Sequence, residues 1–461
     1  MRSMYTRFAS GILFPLHEKI KRHDTVARRR SLERSQWWPR EQLAAAQRTR
    51  LREFFVHIGG RVAYYRDLFG RLGVDPRGDA MRTLAALPLL TKPLIRQHGE
   101  RLIASDHGPL TRYNTGGSSG EPLIFYMGRD RKSHDVAAKW RATRWWGVDI
   151  GDPELVVWGS PIELKSQDRI KQLRDGLLRS HLLPAFEMSP ANLDRYVETI
   201  RSVRPAMLFG YPSSLALIAK HASEGGVELG NIGIKVAFVT SERLYPDQRR
   251  TISTVFGCPV ANGYGARDAG FIAHECPAGS LHISAEDIVV ETVREDGTAT
   301  SYGEAGEIVV THMATADFPF VRYRTGDVGV LSDRVCDCGR TLPILAEVQG
   351  RTTDFVVARD GTIMHGLALI YTLRDLPGVQ KFRIVQQSLD LTEVQVVGDE
   401  SFREEHVARI VDDFKARLGN DVRVSVQRVP DILPEASGKY RYVTSKLTAQ
   451  RSPERECHAD P

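Results

Sequence analysis

Three short apolar runs limit what this chain can fold into: Leu155-Val156-Val157-Trp158, Ala206-Met207-Leu208-Phe209 and Val236-Ala237-Phe238-Val239. None of them alternates apolar with polar residues, so each must be covered on both faces, as strands are in a largely parallel sheet flanked by helices. Each run stops in small or polar residues, at Gly159-Ser160, at Gly210-Tyr211-Pro212-Ser213-Ser214 and at Thr240-Ser241-Glu242. A further turn of this kind is expected at Asn262-Gly263-Tyr264-Gly265. Ligands of open α/β sheets sit outside the carboxyl ends of the strands, so the four loops are expected to converge on one crevice.

Upstream, Leu51, Phe54, Phe55 and Ile58 are spaced as one helix face and predict a helical lead-in. Around Asp354 the character of the chain changes. Val422, Val424 and Val426 alternate with polar residues, and Val407, Ile410, Val411, Phe414 and Leu418 mark one helix face, the pattern of a small α+β unit. A chain of 461 residues exceeds what one core ordinarily holds. The expectation is an α/β protein with a large N-terminal domain of largely parallel sheets over 1–353, a small mobile α+β C-terminal domain over 354–446 and a disordered polar tail over 447–461.

Hydrophobic residues make up 42% and charged residues 26% of the chain, without an apolar stretch long enough to cross a bilayer, so a soluble cytoplasmic protein is expected. The segment Met1 to Ile20 mixes basic and apolar residues. Arg7, His17, Glu18 and Lys19 interrupt it and no small-residue cleavage site follows, so it reads as a surface helix or arm. The net charge of +6 is spread among acids, which argues against a nucleic-acid partner, and Arg28-Arg29-Arg30 reads as a solvated loop. Five cysteines, odd in number and unevenly placed, argue for reduced thiols.

The chemistry begins at Thr115-Gly116-Gly117-Ser118-Ser119-Gly120-Glu121-Pro122, where glycine amides and hydroxyls could cradle a phosphate. The run lacks the Gly-Lys-Ser/Thr ending of a P-loop, and alone it is an ordinary turn. Its weight comes from Tyr323-Arg324-Thr325-Gly326-Asp327, Gly350-Arg351 and Ser437-Gly438-Lys439, which supply an acid, a base and a cation in the order a nucleotide-activating ligase needs. Cys276, His282, Cys336 and Cys338 are a donor set suited to tetrahedral Zn²⁺, although Cys-x-Cys is tighter than the usual spacing. Free buried cysteines are the alternative, with Cys258 and His274 as substitute ligands. Trp140, Trp145, Trp146 and Tyr211 would suit an aromatic acid or, at helical spacing, a core.

The phosphate-loop run, Gly263-Tyr264-Gly265-Ala266-Arg267-Asp268, Tyr323 to Asp327, Gly350-Arg351 and Ser437 to Lys439 resemble the ordered core motifs of the adenylate-forming (acyl-CoA synthetase) superfamily. Leu87-Pro88-Leu89-Leu90-Thr91-Lys92, Gly210 to Ser214 and Cys336-Asp337-Cys338-Gly339-Arg340 are similar to the phenylacetate–CoA ligase-like branch, including members associated with capsular polysaccharide biosynthesis. The resemblance covers roughly residues 35 to 445.

That resemblance implies an enzyme that joins a carboxylic acid to ATP as acyl-adenylate, releases pyrophosphate and passes the acyl group to coenzyme A. A ligase acylating an amine or a sugar hydroxyl directly, and a non-catalytic nucleotide-binding protein, are the other readings. The implied ATP/AMP site comprises Thr115, Gly116, Gly117, Ser118, Ser119, Gly120, Ser241, Glu242, Tyr264, Gly265, Asp327 and Arg351, with Asp327 accepting from the ribose hydroxyls. Lys439 would bridge carboxylate and α-phosphate, Arg267 would meet a phosphate or the substrate, Asp268 would hold Mg²⁺ and Asp354 would be the hinge. Glu121, Arg267 and Asp268 stand where lysine, threonine and glutamate are usual in the superfamily. The same branch can carry a Cys-to-His pair six residues apart followed by Cys-x-Cys, which implies a structural zinc held by Cys276, His282, Cys336 and Cys338.

Overall fold

The structure is a computed structural model, and it describes residues 3–114, 123–158, 169–185, 188–294, 296–348, 355–432 and 442–447. Strands β1 (Thr111–Asn114) and β2 (Ile124–Met127) form an antiparallel pair of their own. The next eleven are β3 (Glu154–Trp158), β4 (Ser180–Pro184), β5 (Met207–Gly210), β6 (Val236–Thr240), β7 (Val260–Ala266), β8 (Gly270–Glu275), β9 (Leu281–Ile283), β10 (Ile288–Val293), β11 (Ala305–His312), β12 (Phe320–Ser332) and β13 (Ile344–Val348). They form one sheet in the order β10-β11-β12-β13-β9-β8-β7-β6-β5-β3-β4. The α/β class is as the apolar runs require, and the parallel part is the five-strand half from β4 to β7. Every other pairing is antiparallel.

The non-alternating runs are buried on both sides because two different helical layers cover them. On one face Leu208, Ala237 and Val239 pack with Tyr196, Leu215, Ile218 and Phe256 from the helices Pro190–Val203, Pro212–Glu224 and Pro246–Phe256. On the other, Met207, Phe209, Val236 and Phe238 pack against Ala142 of the helix Arg129–Trp145. All three helices of the first layer begin on proline, which fits a first turn because its missing N–H would have no partner there.

The helix Arg129–Trp145 buries charge as well as apolar side chains. Arg131 and Arg141 are enclosed completely, Arg141 bonding Glu286 at 2.6 Å and Ser284 at 3.1 Å. The Nε of Arg131 reaches both oxygens of Asp135, at 2.9 and 3.0 Å. Beside them His134 and His312 stack edge to face, 4.7 Å between centroids. The Ala314 N–H donates to His312 Nδ1 at 3.3 Å, so the ring proton sits on Nε2, 3.9 Å from Asp135. Burial and then the neighbouring Arg131 lower His312 to about 3, and the ring is neutral in the native state.

Thr6, Ala9, Phe14 and Glu18 are the buried face of a continuous helical segment made of α-helix Met4–Phe8, π-helix Ala9–Leu13 and α-helix Phe14–Ile20. Thr6 donates to Asp152 at 2.7 Å, and the Phe14 ring meets Trp140 edge-on at 5.1 Å. Gly151 has φ +90°, and a Cβ there would stand 2.3 Å from that of Ala9, so only glycine admits the helix at this distance. Arg28 to Arg30 lie in the helix Thr25–Ser35 and not in a solvated loop. Arg28 is paired with Asp24 and Asp130, and Arg29 with Glu33 while its guanidinium covers Trp140 at 4.5 Å. Local acids and a ring recruit this cluster into the fold.

Beyond the large sheet, β14 (Phe355–Val357) and β15 (Ile363–His365) form a hairpin. The strands β16 (Val379–Ser388), β17 (Leu391–Gly398), β18 (Arg423–Arg428) and β19 (Val443–Ser445) form a separate sheet in the order β18-β17-β16-β19. The helix Glu404–Leu418 buries Ile410, Phe414 and Leu418 against Ile384, Val394 and Val396, the α+β unit read from the periodicities. Among the described residues no helix is long and apolar enough to cross a membrane.

His312 gives the large sheet an acid sensitivity. Its folded value lies below the unfolded one, so its contribution is whole above about 6.5 and is lost as pH falls toward about 3. Asp287, lowered to about 2 against its own burial by His134, Arg50 and Arg28, acts in the same direction below its ordinary value. Melting temperature is expected to fall steadily between pH 6.5 and 4, at up to about 1.4 kcal/mol per pH unit for His312, and His312→Leu should flatten that slope. An unchanged slope in the variant would contradict the assignment.

Candidate functional site

Because β3, β5, β6 and β7 are parallel neighbours, their carboxyl ends open on one edge. The loop after β3 lies outside the described residues. At that edge the Trp158 and Tyr211 rings stack 4.4 Å apart, 18° from parallel. Ser213 donates from its hydroxyl to Glu242 at 2.5 Å, tying the loop after β5 to the loop after β6. Ser241, between Thr240 and Glu242, takes φ +72°, a left-handed conformation that costs a serine on the order of 1 kcal/mol.

Asn262-Gly263-Tyr264-Gly265 is part of strand β7 and not a turn. Its glycines answer to close packing. A Cβ on Gly263 would lie 2.8 Å from the Phe238 ring, and one on Gly265 2.4 Å from the Gly270 carbonyl oxygen. The strand pairs with β6 up to Gly263 and continues against β8, which carries Tyr264 beyond the parallel half.

There Tyr264 meets Asp327. The phenol donates to Asp327 Oδ2 at 3.1 Å and lies 3.4 Å from the Thr325 hydroxyl. Burial, and then the charge of Asp327, raise the phenol well above its ordinary value, so Tyr264 keeps its proton and remains a donor. Asp327 is aimed by a bulge in β12: Gly326 takes φ +80°, the register against β11 shifts between Glu307 and Val309, and Glu307 accepts from both the Gly326 N–H at 3.2 Å and Arg324 at 2.8 Å. Four residues earlier on β12, the Tyr323 hydroxyl donates to the buried Asp268 carboxylate at 2.5 Å. The other Asp268 oxygen accepts the Ala269 N–H at 3.1 Å. Arg131 holds this turn from below, donating to the carbonyls of Asp268 at 3.2 Å and Arg267 at 3.4 Å.

The motif Leu87 to Lys92 anchors β12 from the side. Leu90 donates to the Arg322 carbonyl at 2.9 Å and accepts from the Arg324 N–H at 3.0 Å. Arg322 itself sits at φ +49°, fixed by Glu291 at 3.0 Å and the Leu87 carbonyl at 2.8 Å.

Tyr264, Gly265, Asp268 and Asp327 are thus brought together, with Arg267 exposed beside them and donating at 3.4 Å to the carbonyl of Asn114, where the run 115–122 begins. Ser241 and Glu242 stand at the carboxyl edge. Thr115, Gly116, Gly117, Ser118, Ser119, Gly120, Arg351, Asp354 and Lys439 lie outside the described residues. Trp140, Trp145 and Trp146 are structural, donating to Asp149, Gln36 and the Glu275 carbonyl. Sequence reasoning assigned no individual role to Tyr323, Trp158 or Arg131. Position at the end of an apolar run could have flagged Trp158, whereas Arg131 reads as one more solvated charge.

A second centre lies at the junction of β8, β9, β12 and β13. Cys276 follows β8, His282 is in β9, and Cys336 and Cys338 occupy the connection from β12 to β13. The sulfurs of Cys276 and Cys336 are 3.6 Å apart, Cys338 Sγ is 3.3 Å from His282 Nε2, and all four donor atoms lie within 4.8 Å of one another. Tetrahedral Zn²⁺ with bonds of about 2.3 Å sets its sulfurs roughly 3.8 Å apart, so the donor set fits that ion. His282 Nδ1 is 3.1 Å from the Leu342 carbonyl, which fixes the proton there and leaves Nε2 free to bind. Burial lowers the ring to about 4 and keeps it neutral. Cys258 packs in an apolar cluster instead, and His274 is outside the four.

The family model of the CapK C-terminal domain matches residues 356–446. Protein CapK of Staphylococcus aureus is 24% identical over 405 residues, 87% of this chain and 89% of that protein. Phenylacetate-coenzyme A ligase of Thermus thermophilus is 26% identical over 424 residues, 89% and 93% of the two chains. The fold matches 2-hydroxyisobutyryl-CoA ligase, crystallised with 2-HIB-AMP and CoA in its thioesterification state, with a TM-score of 0.61 at 20% identity over 90% and 92% of the chains. Along most of its length the chain is thus similar to CapK and to phenylacetate–CoA ligases, with a C-terminal unit of the CapK kind and the fold of a CoA ligase.

Proposed function

We propose that the chain is an ATP-dependent ligase that activates a carboxylic acid as its acyl-adenylate, releases pyrophosphate and transfers the acyl group to coenzyme A. The observation that carries this reading is the pair of hydrogen-bonded acids at one edge of the sheet, Asp327 on Tyr264 and Asp268 on Tyr323. A carboxylate offers about four lone-pair sites, so Asp327, which accepts from Tyr264, can also accept from the ribose hydroxyls while the Tyr264 ring flanks the base. Asp268 keeps acceptor capacity and suits Mg²⁺, which is ordinarily held by one or two carboxylates and the substrate phosphates. That ion would neutralise triphosphate charge. Arg267 reaches the carbonyl of Asn114, the residue before the 115–120 run, which supports a role for that run and for Arg267 at the phosphates. Lys439 completes the set from the small domain, with 1–353 and 354–446 as the two domains and Asp354 as their hinge.

The stacked Trp158 and Tyr211 rings at the same edge favour an acid with a flat, apolar body. The match of 356–446 to CapK keeps an amine or hydroxyl acceptor as the second reading, since the acceptor meets the adenylate after the small domain has turned. The cysteine and histidine centre holds zinc as a closed site with no open position for chemistry.

The first test is acid-dependent ATP–pyrophosphate exchange, followed by mass detection of the product with and without coenzyme A. Exchange without any acid dependence would overturn the reading. Asp327→Ala is expected to weaken ATP and AMP together by about tenfold to a hundredfold, the loss of a hydrogen bond to a charged group, because both nucleotides carry the same ribose. Calorimetry finding AMP affinity unchanged in the folded variant would contradict that role.

Lys439→Ala should slow adenylation by about a hundredfold or more and leave consumption of supplied acyl-adenylate near normal. Equal losses in both half-reactions would assign Lys439 to another task. For the metal, protein purified without chelator should contain one zinc per chain, and Cys336→Ser should lose zinc and several degrees of melting temperature together. Unchanged metal content and melting in that variant would exclude the site.

A further inference from the structure

The helical segment Met4–Ile20 inverts the usual arrangement of a surface helix. Its inner face, Thr6, Ala9, Phe14 and Glu18, is fixed on Asp152, Gly151, Trp140 and Thr25, as described above. Its outer face is a row of large apolar side chains, Met4, Phe8, Ile12, Leu16 and Ile20, each between 49% and 89% exposed. The row repeats every four residues. Four residues overshoot an α turn of 3.6 and fall short of a π turn of about 4.4, so the π-helix Ala9–Leu13 between two α-helices offsets part of the drift and keeps the row on one side of the segment. The result is a continuous apolar ridge roughly 25 Å long. Beside it the exposed Leu173 and Leu177 belong to the helix Arg169–Leu177, joined to the segment by the Tyr5 hydroxyl donating to the Leu177 carbonyl at 2.6 Å.

The exposed charges of the segment itself have one sign. Between residues 3 and 22 the exposed charged side chains are Arg7, Lys19, Lys21 and Arg22, and Glu18, the one acid of that stretch, is buried. A second copy seated ridge to ridge would set these cations against their own duplicates with no acid of the segment to meet them. A water-facing helix of this kind, apolar on one side and cationic at its rim, is suited to the boundary between headgroups and acyl chains of an anionic bilayer.

We propose that Met4–Ile20 is a docking ridge for an anionic phospholipid surface: Met4, Phe8, Ile12, Leu16 and Ile20 enter the acyl boundary while Arg7, Lys19, Lys21 and Arg22 meet the headgroup phosphates. The protein docks peripherally, as a rigid ridge already held on the large sheet, so binding costs no folding of the helix. Neither the ridge nor its cations belong to the nucleotide site, and the inference stands apart from the proposed reaction.

Co-sedimentation of the full chain with vesicles of phosphatidylglycerol mixed with phosphatidylcholine, and with vesicles of phosphatidylcholine alone, tests it. Binding is expected to the anionic vesicles and to decline with salt. Ile12→Glu/Leu16→Glu should weaken it by about a hundredfold, and Lys19→Glu/Lys21→Glu by at least about twentyfold, with melting temperature and nucleotide affinity unchanged in both because all four side chains are exposed. Absence of binding to the anionic vesicles at low salt, or binding that survives both double substitutions, would overturn the proposal. So would a concentration-dependent dimer that Ile12→Glu/Leu16→Glu dissolves while vesicle binding is absent.

Discussion

Curvature of the large sheet is the constraint on which the site depends. Strand β12 is separated from β7 by β13, β9 and β8, so in a flat sheet the two would stand about 19 Å apart. Tyr264 on β7 nevertheless reaches Asp327 on β12 at 3.1 Å, and Tyr323 on β12 reaches Asp268 just past β7 at 2.5 Å. The antiparallel half must therefore coil back toward the parallel half, and two phenols span the concave side. Right-handed strand twist supplies part of that coiling, and the register shifts at Tyr264/Gly265 and in β12 supply local bends.

The acids at the site are held by donors that cannot ionise at neutral pH. Tyr264 keeps its proton because it is buried beside Asp327, and Arg131 approaches the Asp268 turn through carbonyl oxygens and leaves the carboxylate to Tyr323. Behind that turn the paired Arg131 and Asp135, with the buried His134 and His312, fill a space that a conventional core would fill with aliphatic side chains. Such a network carries a desolvation cost and in return fixes position, since a guanidinium has few ways to satisfy five donors.

Much of this was legible in the chain. The three unbroken apolar runs led to parallel strands because two faces need two covers, and the 3.6 and 2.0 periodicities after Asp354 led to the small α+β unit. Tyr264, Asp268 and Asp327 were legible through motif order, and the cysteine and histidine set through its chemistry. What escaped was whatever depends on burial of polar groups. Arg28 and Arg29 looked solvated, yet each has an acid within reach, and Asn262 to Gly265 looked like a turn although its glycines mark close strand contact. Composition also carries no record that Arg28 meets Asp130 and Arg29 covers Trp140, partners more than 100 residues away.

The eleven-stranded sheet is continuous through one narrow seam. Strands β9 and β13 share two paired positions, Ile344 with His282 and Leu345 with Leu281, where β11 and β12 share a long ladder. Two reverse turns, Cys276 to Gly279 and Cys336 to Gly339, lie over that seam and face each other through sulfur. Seen as a cooperative unit, the large sheet is two ladders riveted at a point. Opening of the rivet would release the ladder from β10 to β13 as a separate unit of local unfolding, with amide protons on β12 and β13 exchanging ahead of those on β5 and β6.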